Sequence, residues 1–429
     1  MVKRRALLLG TTGLAATGGW LLRPKAMTSG GHQGYFSALN QVLRANGEGR
    51  PTLIVDLDAL DHNIRQVAAN VGARDLRIVA KSIPSLPLID YVSQKLGSRK
   101  LMAFHEPFLQ AMGAPDADIL FGKPMPVDAA ARFYERPQSV NFDPSKQLQW
   151  LIDTPERLHQ YAALATSKGR SMRVNIEIDV GLHRGGVSEP YMLEQMLRRI
   201  HDHPQLSFGG LMGYDPHVVK IPAALGGPER EFQQVQRRYQ RLLAVAQGHG
   251  YGQDQRQGQR QGDKLTLNAA GSPTYQLWRE VDGISNELSV GSGFVKPLDF
   301  DIPSLADHKP ALYIGTPVLK TWRGNRIPGA EWVGTAQGMW DPNRARTLFV
   351  YGGYWQAQPV SPPGLSNNPL FGRSSNQEML NGPDALDIAV DDYVFYRPTQ
   401  SEFVMLQFGE ILAVRQGVIQ HRWQPFRWS

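Results

Sequence analysis

Five polar clusters in this chain have residue types and spacings suited to chemistry. In the stretch RIVAKSIPS, the run Arg77-Ile78-Val79-Ala80 ends at Lys81 and a Ser-Ile-Pro-Ser loop follows. A lysine where a buried β-strand hands over to its loop can be desolvated, lose its proton near neutral pH and attack a carbonyl. The same position also suits an unreactive lysine that snorkels its ammonium to water. The second cluster is NIEIDVGLHRGGVS, in which Asp179, His183 and Arg184 crowd a loop with Gly181, Gly185 and Gly186. An arginine there can bond a phenolate or a carboxylate. The third, GGLMGYDPHV, offers Tyr214, Asp215 and His217. The fourth, TLNAAGSPTY, sets Ala270, Gly271, Ser272 and Thr274 after an apolar run, and the fifth, NELSVGSGF, sets Gly291, Ser292 and Gly293 after another. Small residues with hydroxyls and bare amides at strand ends can cradle a phosphate, although each loop alone is equally an ordinary turn.

These clusters need a scaffold that brings strand ends together. Strands read at Thr52–Val55, Ile78–Ala80, Lys100–Phe104, Asp118–Phe121, Gln149–Ile152, Arg173–Ile178, Phe208–Met212, Lys264–Leu267 and Asn286–Val290. Amphipathic helical stretches lie between several of them, for example 155–166, 189–202 and 229–247. Alternating strands and helices mean parallel β with right-handed crossovers, and about eight units in ~250 residues is the count of a closed (β/α)8 TIM-type barrel. The other doubly repeated architecture, an open doubly wound sheet, lacks its Gly-x-Gly-x-x-Gly after the first strand. Catalytic groups of such barrels project from the C-terminal strand ends, and phosphate sites follow the last two strands. An early lysine, late Gly/Ser loops and an arginine between them form the layout for a phosphorylated aldehyde held as a Schiff base, pyridoxal 5'-phosphate (PLP).

After about Leu298 helical periodicity fades. Short strands read at Ala311–Ile314, Trp332–Gln337, Thr347–Tyr351, Asp392–Tyr396, Ile411–Arg415 and Gly417–Trp423, with prolines and glycines crowding 352–373. The expected organisation is a polar lead-in with a short helix from Phe36 to Ala45 (28–50), a barrel (51–297) and a mainly β domain (298–429). Residues 248–264 form a Gln/Gly/Arg-rich insert expected to be a loop.

The chain has 429 residues, is 41% hydrophobic and carries a net charge of +7. Part of that charge is at the N-terminus, and no basic stripe interleaved with aromatics suggests nucleic acid. There is no cysteine, which excludes disulfides, a thiol nucleophile and thiolate metal ligands. Lys3-Arg4-Arg5 precedes an apolar run of 17 residues, Ala6 to Leu22, rich in Gly and Thr and short for a spanning helix. Residues 1–27 are therefore expected to be a twin-arginine-like export signal or an N-terminal anchor. The protein is then periplasmic or anchored at the inner membrane; a basic leader on a cytoplasmic enzyme is the other reading.

PTLIVDLDALDHNIR, VAKSIPS, VNIEIDVGLHRGGVS, FGGLMGYDPHV, NELSVGSGFVKPLDFD and the C-terminal RPTQSEF and GVIQHRW together resemble the D-threonine aldolase / D-serine dehydratase family. These are fold type III PLP enzymes of the alanine racemase-like fold, a (β/α)8 barrel plus a C-terminal mainly β domain. The resemblance implies that Lys81 is the Schiff-base lysine and that Arg184 contacts the phenolic oxygen of PLP. It implies that Tyr214 lies near the cofactor face, and that Gly271, Ser272, Gly291 and Ser292 hold the phosphate. His217 joins the candidate catalytic residues Lys81, Arg184 and Tyr214.

Two departures stand out. The family lysine lies in a longer Arg-Pro-His-Ala-Lys-x-His-Lys run, whose His and Arg companions are missing here. Family members also bind a divalent metal through a C-terminal His-x-Asp or His-x-Cys, where this chain reads Pro398-Thr399-Gln400-Ser401-Glu402. Gln400 is a poor metal ligand and Glu402 an acceptable one for a hard ion such as Mn or Mg; Zn is a further candidate. The implied activity is a PLP-dependent lyase, aldolase or dehydratase/deaminase, on a small D-configured β-hydroxy amino acid. The alternatives are a PLP-dependent amino-acid racemase and a non-catalytic PLP or amino-acid-binding protein. The expected partners are a small amino-acid substrate and a second copy of the chain, with membrane association only through residues 1–27.

Overall fold

A computed structural model describes residues 23–28, 30–137, 141–251 and 264–427. The leader up to Leu22 and residues 252–263 of the insert lie outside the described residues. Two compact units share the chain, one built on a closed barrel and one on an open sheet.

The first strand, β1 (Thr52–Asp56), does not enter the barrel. The barrel closes from β2 (Asp75–Val79), β3 (Lys100–Ala103), β4 (Asp118–Phe121), β5 (Leu148–Ile152), β6 (Met172–Ile178), β7 (Leu206–Gly213), β8 (Thr266–Ala269) and β9 (Glu287–Val290). Every neighbouring pair is parallel, and β9 returns to β2 with Asp75 opposite Glu287 and Ile78 opposite Val290. Because both faces of such strands are covered, β5 and β6 are buried along their whole length; β6 still alternates apolar and polar residues, and its buried Asn175 donates to Gln149 and to the Thr266 carbonyl. The connecting helices start and stop on local signals. In Pro155–Lys168, Thr154 accepts a hydrogen bond from the Arg157 amide, Pro155 opens the first turn, and Gly169 at φ 58° ends it.

The barrel unit spans 55–311, 400–411 and 422–429, so it differs from the expected 51–297 at both ends. Asn63 explains the later boundary. Its side-chain amide donates to the carbonyls of Phe294 and Lys309, and its oxygen receives the Lys309 amide, which sews the segment after β9 onto the helix Leu57–Val71. At the C-terminus, Phe426 stacks on Phe108 with centroids 4.5 Å apart and donates its amide to the Pro84 carbonyl. Such returns depend on long-range packing and leave no local mark.

The second unit spans residues up to Ile54, 312–399 and 412–421. Its strands are β10 (Leu312–Arg323), β11 (Arg346–Tyr351), β12 (Ala357–Ser361), β13 (Ser366–Asn367), β14 (Gln377–Gly382), β15 (Tyr393–Pro398), β16 (Ile411–Arg415) and β17 (Val418–Trp423). With β1 they form a nine-stranded sheet, ordered β13-β14-β11-β10-β1-β16-β17, and β15 pairs with β10 and β12. The helix Tyr35–Ala45 lays Leu39 and Leu43 on a core of Ile54, Tyr313, Tyr393, Phe395, Leu412 and Val414. The strand expected at Trp332–Gln337 is instead part of a helix, Glu331–Trp340. Trp332, Ala336 and Trp340 recur every four residues, a helical period that outweighs their aromatic and small-residue content.

Inside the barrel, Arg77 is fully buried near the N-terminal strand ends. Its guanidinium donates to Glu287 at 2.5 and 2.9 Å, to Asp118 at 3.1 Å, and to the carbonyls of Leu101 and Asp118. Lys100 adds contacts of 3.2 Å to Glu287 and 3.3 Å to Asp118. Burial pushes the Asp118 carboxyl up, but Arg77 and Lys100 win and hold it below its usual value of 3.8. Removing one partner of such a buried cluster strands the others in low dielectric. Arg77→Met is expected to cost about 3–5 kcal/mol, and an Arg77→Met/Glu287→Gln double variant less than the sum of the singles, read by denaturant unfolding. The folded-state value of Asp118 is depressed, so its contribution is complete above pH 3.8 and is lost as pH falls through that lower folded value.

Candidate active site

β2 ends at Val79, and the 3-10 turn Ala80–Ser82 turns Lys81 toward the C-terminal mouth of the barrel. The Lys81 Nζ lies 3.4 Å from Glu402 Oε1 and 5.1 Å from the centroid of Phe104, the residue after β3. Its side chain is 45% exposed, so the desolvated amine expected at this strand end is instead a half-exposed one facing a carboxylate. Glu402 belongs to the short helix Ser401–Met405, part of the barrel unit despite its late place in the chain.

Tyr214 follows β7. Its ring leans on Gly271, where a Cβ would stand 2.5 Å from the ring carbon Cε2, and the Arg184 guanidinium sits 5.0 Å from its centroid. Burial pushes the Tyr214 hydroxyl up; Arg184 opposes this, while the charges of Asp215 and Glu402 add to it. Arg184 also lies 3.6 Å from Glu177, whose carboxyl burial raises against the pull of that arginine. The Arg184 loop is built by Asp179, which receives the amides of Gly181 and His183 and the His183 ring Nδ1 at 2.8–3.1 Å. Gly186 is required there: at φ 94°, a Cβ would lie 2.9 Å from the Asp179 nitrogen.

The two Gly/Ser loops meet. The amides of Gly291 and Gly293 both donate to Ser272 Oγ, at 3.1 and 2.9 Å, so they converge on one oxygen. Ser292 Oγ lies 3.1 Å from Ser82 Oγ. Gly291 packs so closely on the lysine turn that a Cβ would stand 2.6 Å from Ser82 Oγ and 2.7 Å from the Val79 Cβ. Beneath them, fully buried Asp215 accepts from Thr274 Oγ1 at 2.6 Å and Trp278 Nε1 at 2.8 Å, and Thr274 Oγ1 receives the Gly271 amide. His308 ties the loops again. The Gly293 carbonyl can only accept, so Nδ1 carries the hydrogen of that 2.7 Å bond, and burial keeps the ring neutral. Its Nε2 therefore accepts from Tyr275 Oη at 2.7 Å, whose burial pushes that hydroxyl up to about 12.

The structure thus gathers Lys81, Arg184, Tyr214, Gly271, Ser272, Gly291, Ser292 and Glu402 at one end of the barrel. His217 is placed differently: its Nε2 lies 3.3 Å from Glu231, which Arg238 also holds at 2.9 Å on the helix Gly227–Gly248. The proposed metal donors do not fit a metal. Gln400 Nε2 donates to Asp299 at 3.2 Å and Glu402 faces Lys81. Among the described residues no three His, Cys, Asp or Glu side chains are grouped to hold an ion. Sequence reasoning missed Ser82, Tyr275 and His308. Ser82 and Tyr275 adjoin residues already singled out, whereas nothing local marks His308.

Residues 55–294 match the family model described as alanine racemase, N-terminal domain. The chain belongs to this family. Alanine racemase of Mycolicibacterium smegmatis is 26% identical over 224 residues, 42% of this chain; the match spans 55% of that relative, about half its length. Among solved structures, D-threonine aldolase of Filomicrobium marinum superposes with a TM-score of 0.66 at 18% identity, covering 88% of this chain and 96% of that one. D-threo-3-hydroxyaspartate dehydratase of Delftia sp. HT23 gives 0.64 at 18% (88% and 98%), and alanine racemase of Bacillus anthracis 0.61 at 15% (87% and 97%). At these identities the likeness is one of fold, a parallel eight-stranded barrel with a separate β domain.

Enzymes of this fold family use PLP. The residues present fit it: one amine, three serine hydroxyls and the amides of Gly291 and Gly293, which converge on Ser272 Oγ, lie within one barrel mouth, where Gly271 and Gly291 let the loops close on Tyr214 and Ser82. Tyr275→Phe leaves the buried His308 Nε2 without its donor and is expected to cost about 1–3 kcal/mol of stability. Because that link bridges the two Gly/Ser loops, PLP affinity should fall more than pyridoxal affinity if they hold the phosphate, measured by titrating the cofactor-stripped chain.

Proposed function

We propose that this enzyme is a PLP-dependent lyase acting on a small, D-configured β-hydroxy amino acid. The observation that carries this reading is the Lys81–Glu402 pair, 3.4 Å apart, with Tyr214 close enough for the Glu402 charge to push its hydroxyl up further. Lys81 would supply the amine for the cofactor's aldehyde carbon, the loops around Ser272 and Ser292 would hold its phosphate, and Arg184 would donate to its phenolic oxygen. PLP supplies an electron sink for charge developing at the substrate Cα.

The chain's own groups then choose the bond. The Lys81 amine, once freed from the cofactor by the substrate's own amine, would be a base for the Cα proton on one face, the step before loss of a β-hydroxyl in a deaminase. The Glu402 carboxylate stands beside it as an acceptor for a β-hydroxyl proton, the step that opens Cα–Cβ cleavage in an aldolase. Gln400 and Glu402 are turned to Asp299 and Lys81, so neither is offered to a metal. Two structural neighbours are named for D-threonine and D-threo-3-hydroxyaspartate, which supports the substrate class. Racemisation is the second reading, favoured by the sequence match to an alanine racemase. It needs proton return from the opposite face, a role open to the Tyr214 hydroxyl.

The purified protein should show a near-visible absorbance band that Lys81→Ala abolishes; absence of the band in the wild type would reject the cofactor assignment. D-Ser or D-Thr should yield keto acid or aldehyde, whereas enantiomer formation alone would establish the racemase. A band without any product would favour a binding protein. Glu402→Gln is expected to keep the band and lower kcat by about 10²–10⁴-fold. Added Mn²⁺ should not restore the rate.

A further inference from the structure

The helix Glu331–Trp340 is amphipathic the wrong way round for a core element. Trp332 is 76% exposed, Met339 68%, Trp340 49% and Val333 36%, with Ala336 exposed between them. Residues 332, 333, 336 and 340 share one helical stripe. The inward side is made of small residues instead: Gly334 is buried so tightly that a Cβ would overlap the Asn325 carbonyl oxygen. A sequence that turns glycine inward and two indoles outward has an apolar face with no partner in its own domain.

Cations surround that face. Arg323 and Arg326 wall one cleft together with Met339. Lys320 is exposed on the same strand, and Arg326 lies 5.4 Å from the Trp322 ring centroid. Acids border it too: Asp384 lies 3.7 Å from Arg323, and Asp341, the residue after the helix, lies 3.2 Å from Arg344. The N-terminal leader joins the fold at this helix. Arg23 donates to the carbonyls of Met339 and Trp340 at 3.2 and 3.1 Å, and Asn343 holds the Lys25 carbonyl and the Met27 amide at 2.9 and 2.7 Å. The residue before Arg23 ends the 17-residue apolar run that follows Lys3-Arg4-Arg5.

We propose that the helix Glu331–Trp340 is a membrane-contacting face that lies on an anionic lipid surface, beside Arg23, where the described residues begin. Indoles at both ends of a helix rimmed by Lys and Arg suit the headgroup level. A single weak apolar signal gives marginal binding, and a second in the same plane makes it stable. The leader is short and rich in Gly and Thr, so it gains from the second contact, and its attachment raises the effective concentration of lipid at Trp332 and Trp340. Membrane association would then extend beyond residues 1–27 into the β domain.

The absence of cysteine permits a direct test, because Ala336→Cys accepts one environment-sensitive fluorophore in the full chain. Tyr191→Cys, on an exposed barrel helix, is the control. With vesicles of phosphatidylethanolamine and phosphatidylglycerol, emission at 336 should shift to the blue and become accessible to a lipid-borne quencher, while the label at 191 stays unchanged. Trp332→Ser/Trp340→Ser should lower vesicle co-sedimentation by about tenfold with the cofactor band intact. Protein that sediments without a shift at 336 would mean the leader alone binds and would overturn the proposal. A shift that needs no lipid and grows with protein concentration would assign the face to a second copy of the chain and overturn it too. An equal response to pure phosphatidylcholine would remove the role given to the cations.

Discussion

The barrel closes where β9 pairs with β2, and most of the candidate site depends on that one seam. Closure sets Gly291 against Val79 and Ser82, residues separated by about 210 positions in the chain. The loop that aims two amides at one oxygen is thereby pressed onto the turn that presents Lys81. Only a glycine tolerates the distance. A phosphate bound by the loops and an aldehyde bound by the lysine would share a molecule only because this seam brings both groups to one mouth.

Beneath the mouth, a second tier holds the loops still. Asp215 pins Thr274 and Trp278, and the neutral imidazole of His308 joins Tyr275 to the Gly293 carbonyl. These groups are buried and mutually satisfied, which is the condition under which polar networks rigidify a site. At the other end of the barrel, Arg77 and Lys100 meet Glu287 and Asp118. Charge is therefore concentrated at both ends of the barrel, with roles kept apart: packing and closure at the N-terminal ends, chemistry at the C-terminal ends.

The C-terminal segment alters what the site can do. Glu402 meets Lys81 where the resembled family places a metal ligand, and Gln400 is turned to Asp299. One carboxylate facing one amine is an ion pair, not an ion-binding cage. The outward indoles of Glu331–Trp340 point to a different task, the place where the enzyme works.

Sequence alone determined the local features. Apolar runs with capped helices between them specified the barrel strands. Strand-end position marked Lys81, and Gly/Ser composition marked the loops at 271 and 291. These depend on near neighbours, so they are legible without a fold. Tertiary structure decided what depends on pairing. β1 reads like a barrel strand because a strand buried on both faces looks the same in either sheet, and only its partners place it. His217 reads like an active-site group until Glu231 claims it. His308 carries no signal of its own, and the RPTQSEF motif marks Glu402 as a metal-ligand candidate, not as the partner of Lys81. They reach the site only because distant segments fold back onto the barrel, and contacts made at that range leave no period or motif in the chain.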